Sequence, residues 1–386
     1  MWQTLGRSAP LVAIVFFGFL AVGIPIAALS IHVHHTLGFG TLVVGLVIGL
    51  QSAATVLMRH QAGTLADSAG PRRAVLLGLP LAALSGVLYL ASSHLPLGST
   101  GAVMVILAGR LVMGVGEALF VTGALSWGIG RLGPERTGIV MSWQGIALFG
   151  ALSIGAPIGL SAQQWGGFPA VAVLTIAAPL VALVVALLLP AVPASGGRRV
   201  PFYRVLGLIW QPGVVLGLAT APFASIAAFL ALDYQAHGWT GAGAAIGAFG
   251  IGYVAVRIFF SHLRDRLGGV TVAAGSLVVE AVGQALLWLA PDAWAAFAGA
   301  CLTGAGFSLI FPSMGIEATR RVTPEQRGRA VGNFTAFFDL AIGLTGPVVG
   351  LAASRFGFPI AFMIGTVCAL TALLLLNRMS GRTARP

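Results

Sequence analysis

The sequence predicts an all-α membrane protein whose roughly twelve transmembrane helices form two pseudo-symmetric six-helix bundles. Three observations lead there. Hydrophobic residues make up 58% of the 386 residues and charged residues only 8%, against roughly 25% charged in a soluble domain. So few charges cannot clothe a surface that faces water. Apolar runs close to bilayer length recur along the chain, divided by short polar stretches. The first half of the chain also returns, position by position, in the second. A fibrous or low-complexity chain is excluded, because the 54 glycines lie scattered among Leu, Val and Ala without a short period.

The first span, 11–31, follows Arg7 and ends in Ala27-Ala28-Leu29-Ser30, which has the outline of a signal peptide. About 20 apolar residues suffice to cross a bilayer of about 30 Å, so it reads as an uncleaved helix. The spans that complete the first half are 41–61, 74–92, 102–125, 137–160 and 168–190. Those of the second half are 213–234, 242–261, 270–290, 294–318, 328–351 and 357–377. This divides the chain into a half at 1–190, a linker at 191–212 and a half at 213–386. Arg-bearing segments (Arg72-Arg73, Arg131/Arg136, Arg198-Arg199/Arg204, Arg264/Arg266, Arg320-Arg321/Arg327/Arg329, Arg378/Arg382/Arg385) alternate with segments nearly free of Arg, and Arg355 alone breaks the pattern. The positive-inside rule then puts both termini and the linker in the cytoplasm, in agreement with an even number of spans.

The repeat carries most weight. Gly45 and Gly49 return as Gly243 and Gly247, and at the same offset Arg59, Leu65, Asp67 and Gly70 return as Arg257, Leu263, Asp265 and Gly268. Later the offset shortens: Gly109, Gly114 and Gly116 match Gly299, Gly304 and Gly306, Pro134-Glu135 matches Pro324-Glu325, and Pro157 matches Pro347. Charged positions falling in register are harder to obtain by chance than glycines. Parallel repeats of this kind belong to carriers that rock about a site between their halves.

The formal charge is +11 and every basic residue is Arg. Nucleic-acid binding would need Arg gathered on a soluble face. Arg in short loops between apolar runs signals membrane orientation instead, so lipid is the expected partner and nucleic acid is not. Cys301 and Cys368 lie in apolar runs without a CxxC or a His at metal spacing, and read as packing residues. His32, His34 and His35 sit at a helix end without nearby carboxylates, which favours incidental histidines in a periplasmic loop over a metal site. No Walker-type loop or Gly-x-Ser-x-Gly turn is present, so neither a nucleotide cofactor nor enzymatic hydrolysis is expected.

The segment Gly63-Thr-Leu-Ala-Asp67-Ser-Ala-Gly70-Pro-Arg72-Arg73 resembles the loop signature between the second and third helices of the major facilitator superfamily, with Ser68 and Pro71 where basic residues are usual. A degenerate copy, Ser261-His-Leu-Arg-Asp265-Arg-Leu-Gly268, follows the eighth span. Arg110-Leu-Val-Met-Gly114-Val-Gly116 is similar to the family's Arg-led motif in the fourth helix. Gly155-Ala-Pro157-Ile-Gly159 is a partial form of its antiporter motif. More closely, His34–Phe39, Thr122–Gly128, Met141-Ser-Trp143 and Leu309–Pro312 resemble a subfamily of bacterial inner-membrane carriers, YfcJ/YhhS-like and loosely labelled arabinose-efflux-permease-like. The resemblance covers nearly all of the chain. It implies the major facilitator fold and export of small solutes.

Several residues become candidates on this footing. Asp67 and Asp265, beside Arg72/Arg73 and Arg264/Arg266, are expected at cytoplasmic turns, where a carboxylate can accept charge-assisted bonds and face a helix N-terminus. With Gly63 and Gly70 they would form a cytoplasmic gate. Arg110 and Glu117 are seven residues apart on one face of the fourth span, and an intramembrane charge is costly unless it is paired or wet. Glu117 is a candidate protonation site with Arg110 near it, and Asp339 in the eleventh span is another. Glu280 ranks lower, because the third helix of each half is outer scaffold in the family. Glu317 is expected near Arg320 and Arg321 in a structural role.

Trp143, Gln144 and Asn333 lie early on helices that line the family's central cavity, where an aromatic face with amides suits a sugar-like or amphipathic solute. Trp127 reads as an interfacial anchor. Gly155/Gly159 and Gly346/Gly350 are small-xxx-small pairs expected at the interface between the halves. Pro157 and Pro347 bend their helices alike. The reading is a monomeric proton-coupled exporter of a small organic solute working by alternating access. A sugar or nutrient facilitator or proton symporter is the alternative, and a sensor without transport a more distant one.

Overall fold

Helices form because the chain offers long runs of Leu, Val, Ala and Ile, and because in hydrocarbon every backbone N–H and C=O must be paired within its own segment. The structure is a computed structural model. It describes the backbone at residues 2–194, 202–322 and 327–383, and side chains at 8–133, 135–194, 207–264, 266–322 and 334–379. All regular structure among the described residues is helical. The predicted sites Asn333 and Asp265, the repeat element Pro324-Glu325 and linker residues 195–201 lie outside the described residues or side chains.

The principal helices are α1 (Trp2–Ile31), α2 (Thr41–Ala69), α3 (Pro71–His94), α4 (Gly98–Leu132), α5 (Thr137–Leu188), α6 (Phe202–Ala236), α7 (Ala242–Phe260) and α8 (Leu263–Leu267). They continue with α9 (Gly269–Trp288), α10 (Ala293–Phe307), α11 (Ile310–Arg320), α12 (Arg327–Phe356) and α13 (Ile360–Thr383). Eleven described helical spans are long and apolar enough to cross a membrane, with α10 and α11 together making one. One of the eleven, α5, has 52 residues, about 78 Å at 1.5 Å per residue and too long for one crossing. It breaks at Gly166 (φ −137°, ψ 17°) and Gly167 (φ 66°, ψ −169°), so its arms at 137–165 and 168–188 are separate crossings. The expected loop there shrinks to two glycines. Leu57, Phe259, Leu188 and Leu374 are widely exposed, as residues facing lipid should be.

Contacts divide the chain into two units, one of residues 1–39 and 50–198, the other of 40–49 and 199–386. In the first, α1 packs on α5 and α3 packs on both α4 and α5. In the second, α6 packs on α12 and α13, α10 on α7 and α9, and α9 on α13. The segment expected to be linker at 202–212 is helical, the opening of α6.

The repeat is visible in the backbone. Gly70 (φ 97°, ψ 146°) ends α2 and starts α3, and its counterpart Gly268 (φ 84°, ψ 148°) ends α8 and starts α9. A β-carbon is disfavoured at such angles. Close approaches repeat as well. Gly114 lies against the Gln51 carbonyl and Gly304 against the Phe249 carbonyl. Gly116 meets the backbone N of Ala82, and Gly306 that of Glu280. Gly109 meets the Ser85 carbonyl, and Gly299 that of Gly283. Each partner pair falls in the register read from the sequence.

The division between α10 and α11 has a specific cause. Pro312 has no N–H for the carbonyl four residues back, that of Ser308. Arg257 Nη1 donates to this carbonyl at 2.9 Å, while Ser308 Oγ donates to Tyr253 O at 2.7 Å. A buried cation on α7 thus occupies the acceptor that the proline leaves open.

Candidate functional site

Because position 114 has no side chain, α4 can approach α2 closely in the first unit, and Glu117, one turn on, is brought onto Gln51 and Thr55. Glu117 is buried, and Gln51 Nε2 donates to its Oε2 at 2.6 Å. Thr55 Oγ1 lies 3.0 Å from Gln51 O, 3.1 Å from Gly114 O and 3.5 Å from Glu117 Oε2. Its single proton can serve one of them well at a time. Gln51 Oε1 is buried with no donor. The result is a carboxyl held by an amide that could turn. With Glu117 ionised, such a bond is charge-assisted and contributes about 1.5–3 kcal/mol.

The equivalent positions in the second unit are Phe249, Tyr253 and Phe307. There the ring centroids of Phe249 and Phe307 are 6.4 Å apart, and those of Tyr253 and Phe307 6.2 Å. A hydrogen-bonded trio in one unit is an aromatic trio in the other. Phe307 also stacks with Phe338 (6.3 Å), which stacks with Phe223 (6.4 Å). Asp339, the next residue on α12, is buried beside this cluster.

Arg110 is buried and lies beside the Tyr89 phenol of α3. Trp143 and Gln144 on α5 line a small cleft in the first unit with Ser8, Leu11 and Val12 of α1 and Ala124 and Gly128 of α4. Gln144 Nε2 is buried without a hydrogen-bond partner. Both residues therefore border the same space, on a helix neighbouring the one that carries Glu117.

Other expectations change. Asp67 is exposed but helical: α2 runs on through Ala69, because a single glycine with positive φ, Gly70, makes the whole turn. Gly63 lies inside α2 with open space at its missing β-carbon. Arg72 donates to Leu187 O at 2.9 Å, bracing the last turn of α5, while Arg73 is exposed. Gly155 and Gly159, expected between the halves, approach Gly23 and Ile24 of α1 within the first unit. Pro157 lies inside α5 with them. Gly346 and Pro347 meet Gly45 and Gly49, and Gly350 meets Thr41, whose Oγ1 donates to Gly350 O at 2.7 Å.

Trp127 is not an interfacial anchor. It is fully buried in α4, and its Nε1 donates to Pro190 O at 3.1 Å. The most exposed of the described tryptophans, Trp165 and Trp294, stand at span ends. Glu280 is not on an outer surface either, being completely buried. His32 is buried and stacks on Phe168 at 4.0 Å, and His34 Nδ1 lies 2.8 Å from Phe39 O. Glu317 pairs with Arg321 at 3.4 Å, and Arg321 also donates to Gln211 at 2.8 Å.

The sequence reading did not single out Gln51 or Asp233. Gln51 and Thr55 stand one helical turn apart, a polar pair within an apolar span, and that spacing was the available signal. Asp233 is an acid inside a predicted span. It is buried, 3.5 Å from His237 Nδ1, and His237 stacks on Trp239 at 4.5 Å.

Comparison with known proteins matches the chain to the family model of the Major Facilitator Superfamily at residues 11–241 and again at 213–385. An uncharacterized MFS-type transporter of Salmonella typhimurium is 42% identical, over 93% of this chain and 92% of that protein. The uncharacterized MFS-type transporter YhhS of Escherichia coli K12 is 40% identical, over 96% and 93%. A Pseudomonas aeruginosa relative, also an uncharacterized MFS-type transporter, is 42% identical, over 96% and 92%. Among solved structures, a mutant of the nucleoside transporter NupG superposes with a TM-score of 0.76 at 15% identity, covering 97% of this chain and 99% of that one.

Proposed function

The chain belongs to the Major Facilitator Superfamily, a family of multi-pass membrane transporters and not of enzymes, and from that premise we propose that it is a proton-coupled exporter of a small organic solute. In this reading it sits as a monomer in the bacterial inner membrane with both termini cytoplasmic, and works by alternating access between halves at 1–190 and 213–386.

The observation that carries the proposal is the hydrogen-bonded trio of Glu117, Gln51 and Thr55. As a carboxylate, Glu117 accepts the Gln51 amide N–H. When a proton arrives from the periplasm, one carboxyl oxygen becomes a donor, and the Gln51 amide turns to offer the Oε1 that now has no partner. The contact between α2 and α4 so has two hydrogen-bonded arrangements, one for each protonation state. Asp339 is the second proton candidate, with Arg110 in a supporting role. Trp143, Gln144 and Asn333 are assigned to the solute. Asp67, Arg73 and Asp265 are assigned to a cytoplasmic latch, and Arg72 to bracing α5.

The test is a proton-flux assay in inverted membrane vesicles energised to acidify the lumen. Sugars, lipophilic cations, metabolite analogues and nucleosides are added in turn, the last because NupG is a nucleoside transporter. Recovery of a pH dye on addition of one class, lost in Glu117→Gln or Asp339→Asn, is the expected result. No response to any class by well-inserted protein, with solute uptake independent of pH, would overturn proton antiport in favour of facilitated import.

A further inference from the structure

Glu280 is the only charged residue of α9, and neither α10 nor residues 360–376 of α13 carries any. α10 and α13 pack most extensively on α9, which α11 and α6 also touch. Its backbone lies against Gly306 of α10, and Cys368 of α13 is within its electrostatic reach. The carboxyl is fully buried, and neither oxygen has a hydrogen-bond partner.

Gln284, one turn on, is also fully buried and points into the same three-helix junction. Its Nε2 donates to Thr303 Oγ1 at 3.2 Å, while its Oε1 lies against Gly365 with no donor. Thr303 Oγ1 gives its own proton to Gly299 O at 2.8 Å, so its second lone pair stays open. Gly283, Gly299, Gly306 and Gly365 are the small residues that let the three helices close on one another there.

The imbalance is one-sided. Three buried oxygens, Glu280 Oε1 and Oε2 and Gln284 Oε1, lack a hydrogen, and the Thr303 hydroxyl adds a fourth donor atom. Buried polar atoms without partners call for an explanation such as an ion. A proton would satisfy two of the three, through an O–H from Glu280 to Gln284 Oε1, and leave the second Glu280 oxygen without a partner. A hard cation can be shared by all of them, since such ions take carboxylate, amide and hydroxyl oxygens together. One positive charge cancels that of Glu280, whereas a divalent ion would leave net charge at membrane depth.

We propose that Glu280, Gln284 and Thr303 form a buried binding site for a monovalent cation at the junction of α9, α10 and α13. The site stands on the second unit alone and does not depend on proton coupling or on the direction of transport.

The experiment is thermal unfolding of the full-length protein, purified in detergent with choline chloride. NaCl, and in parallel KCl, replaces choline at constant ionic strength. The expected result is a saturable rise of several degrees with one of the two alkali cations, abolished in Glu280→Gln. Thr303→Val, which keeps the shape, should raise the half-saturating concentration several-fold, and it serves as the test should Glu280→Gln fail to fold. Identical melting in all three salts would overturn the site, as would a cation shift unchanged in Glu280→Gln, or in Thr303→Val where that variant is the test. Stability that follows pH alone and loses that dependence in Glu280→Gln would make the ligand a proton, and would also overturn it. Because the readout is stability, its failure is distinct from failure of the flux assay.

Discussion

Replacing Arg257 by Met tests whether the α10–α11 break and the buried arginine are parts of one arrangement. Arg257 is 7% exposed and donates to the Ser308 carbonyl at 2.9 Å. Met fills similar space without charge and leaves that carbonyl with no donor, since Pro312 cannot supply one. A stranded buried acceptor costs about 1–3 kcal/mol, and a hydrogen bond from a charged group contributes about 1.5–3 kcal/mol, so Arg257→Met should destabilise by about 2 kcal/mol. Pro312→Ala restores the missing N–H and lets α10 run into α11. In the double variant the carbonyl is satisfied again, and most of that loss should return, a coupling of at least about 1 kcal/mol. Thermal unfolding of the four proteins in one detergent gives the cycle. Strictly additive effects of the two substitutions would refute the shared-acceptor account.

Trp127→Phe should lose about 0.5–1.5 kcal/mol, the bond to the Pro190 carbonyl, whereas Trp127→Ala should lose about 3–5 kcal/mol by opening a core cavity; thermal melting separates the two. Gly70→Ala and Gly268→Ala should each cost about 1–3 kcal/mol by backbone strain alone, because neither β-carbon would meet an atom closer than the 3.8 Å of Val192 O. Unequal melting shifts would count against their equivalence. Gly114→Ala should lower stability by about 1–3 kcal/mol, because the colliding atoms are backbone and cannot swing aside. Gly275→Ala, with nothing within 4 Å of the added carbon, should instead gain up to about 1 kcal/mol. If the two behaved alike, close packing of α2 on α4 would not be what position 114 provides.

The membrane class, the number of crossings and the internal register were all legible, because burial in lipid writes long apolar runs and duplication preserves spacing. The glycines that set helix-to-helix distance were legible for the same reason, since contact at a missing β-carbon is a property of backbone spacing. Which helix each glycine meets was not. Gly155 and Gly159 read as an interface, yet nothing in their spacing names α1 as the partner. Side-chain roles were less visible. Trp127 follows Leu125-Ser126 near a predicted span end, where an interfacial tryptophan is the ordinary expectation, and only the return of the chain at Pro190 buries it. Glu280 was discounted on the habits of outer helices, whereas Gly306 and Gly365 bring two further helices over it. Gln51 carries no charge to draw notice, and its importance comes entirely from a residue 66 positions away.

Where the two units differ is as informative as where they agree. Gly114 and Gly304 hold the same close approach, so backbone geometry was retained while the side chains around it diverged. At that shared place the first unit holds Gln51, Thr55 and Glu117, and the second holds Phe249, Tyr253 and Phe307. Neither set could be exchanged for the other one residue at a time. A lone glutamate among the rings would be a buried charge with no amide to meet it, and a lone ring beside Gln51 would strand both ends of that amide. The polar trio is therefore maintained as a unit, at a cost in desolvation that an aromatic trio on the same scaffold does not bear. Packing alone gives no reason to keep the costlier set, since the second unit packs the same backbone without it. What the first unit has in addition is a carboxyl whose hydrogen bonds one proton would rearrange, and the proposed role of Glu117 rests on that difference more than on its burial alone.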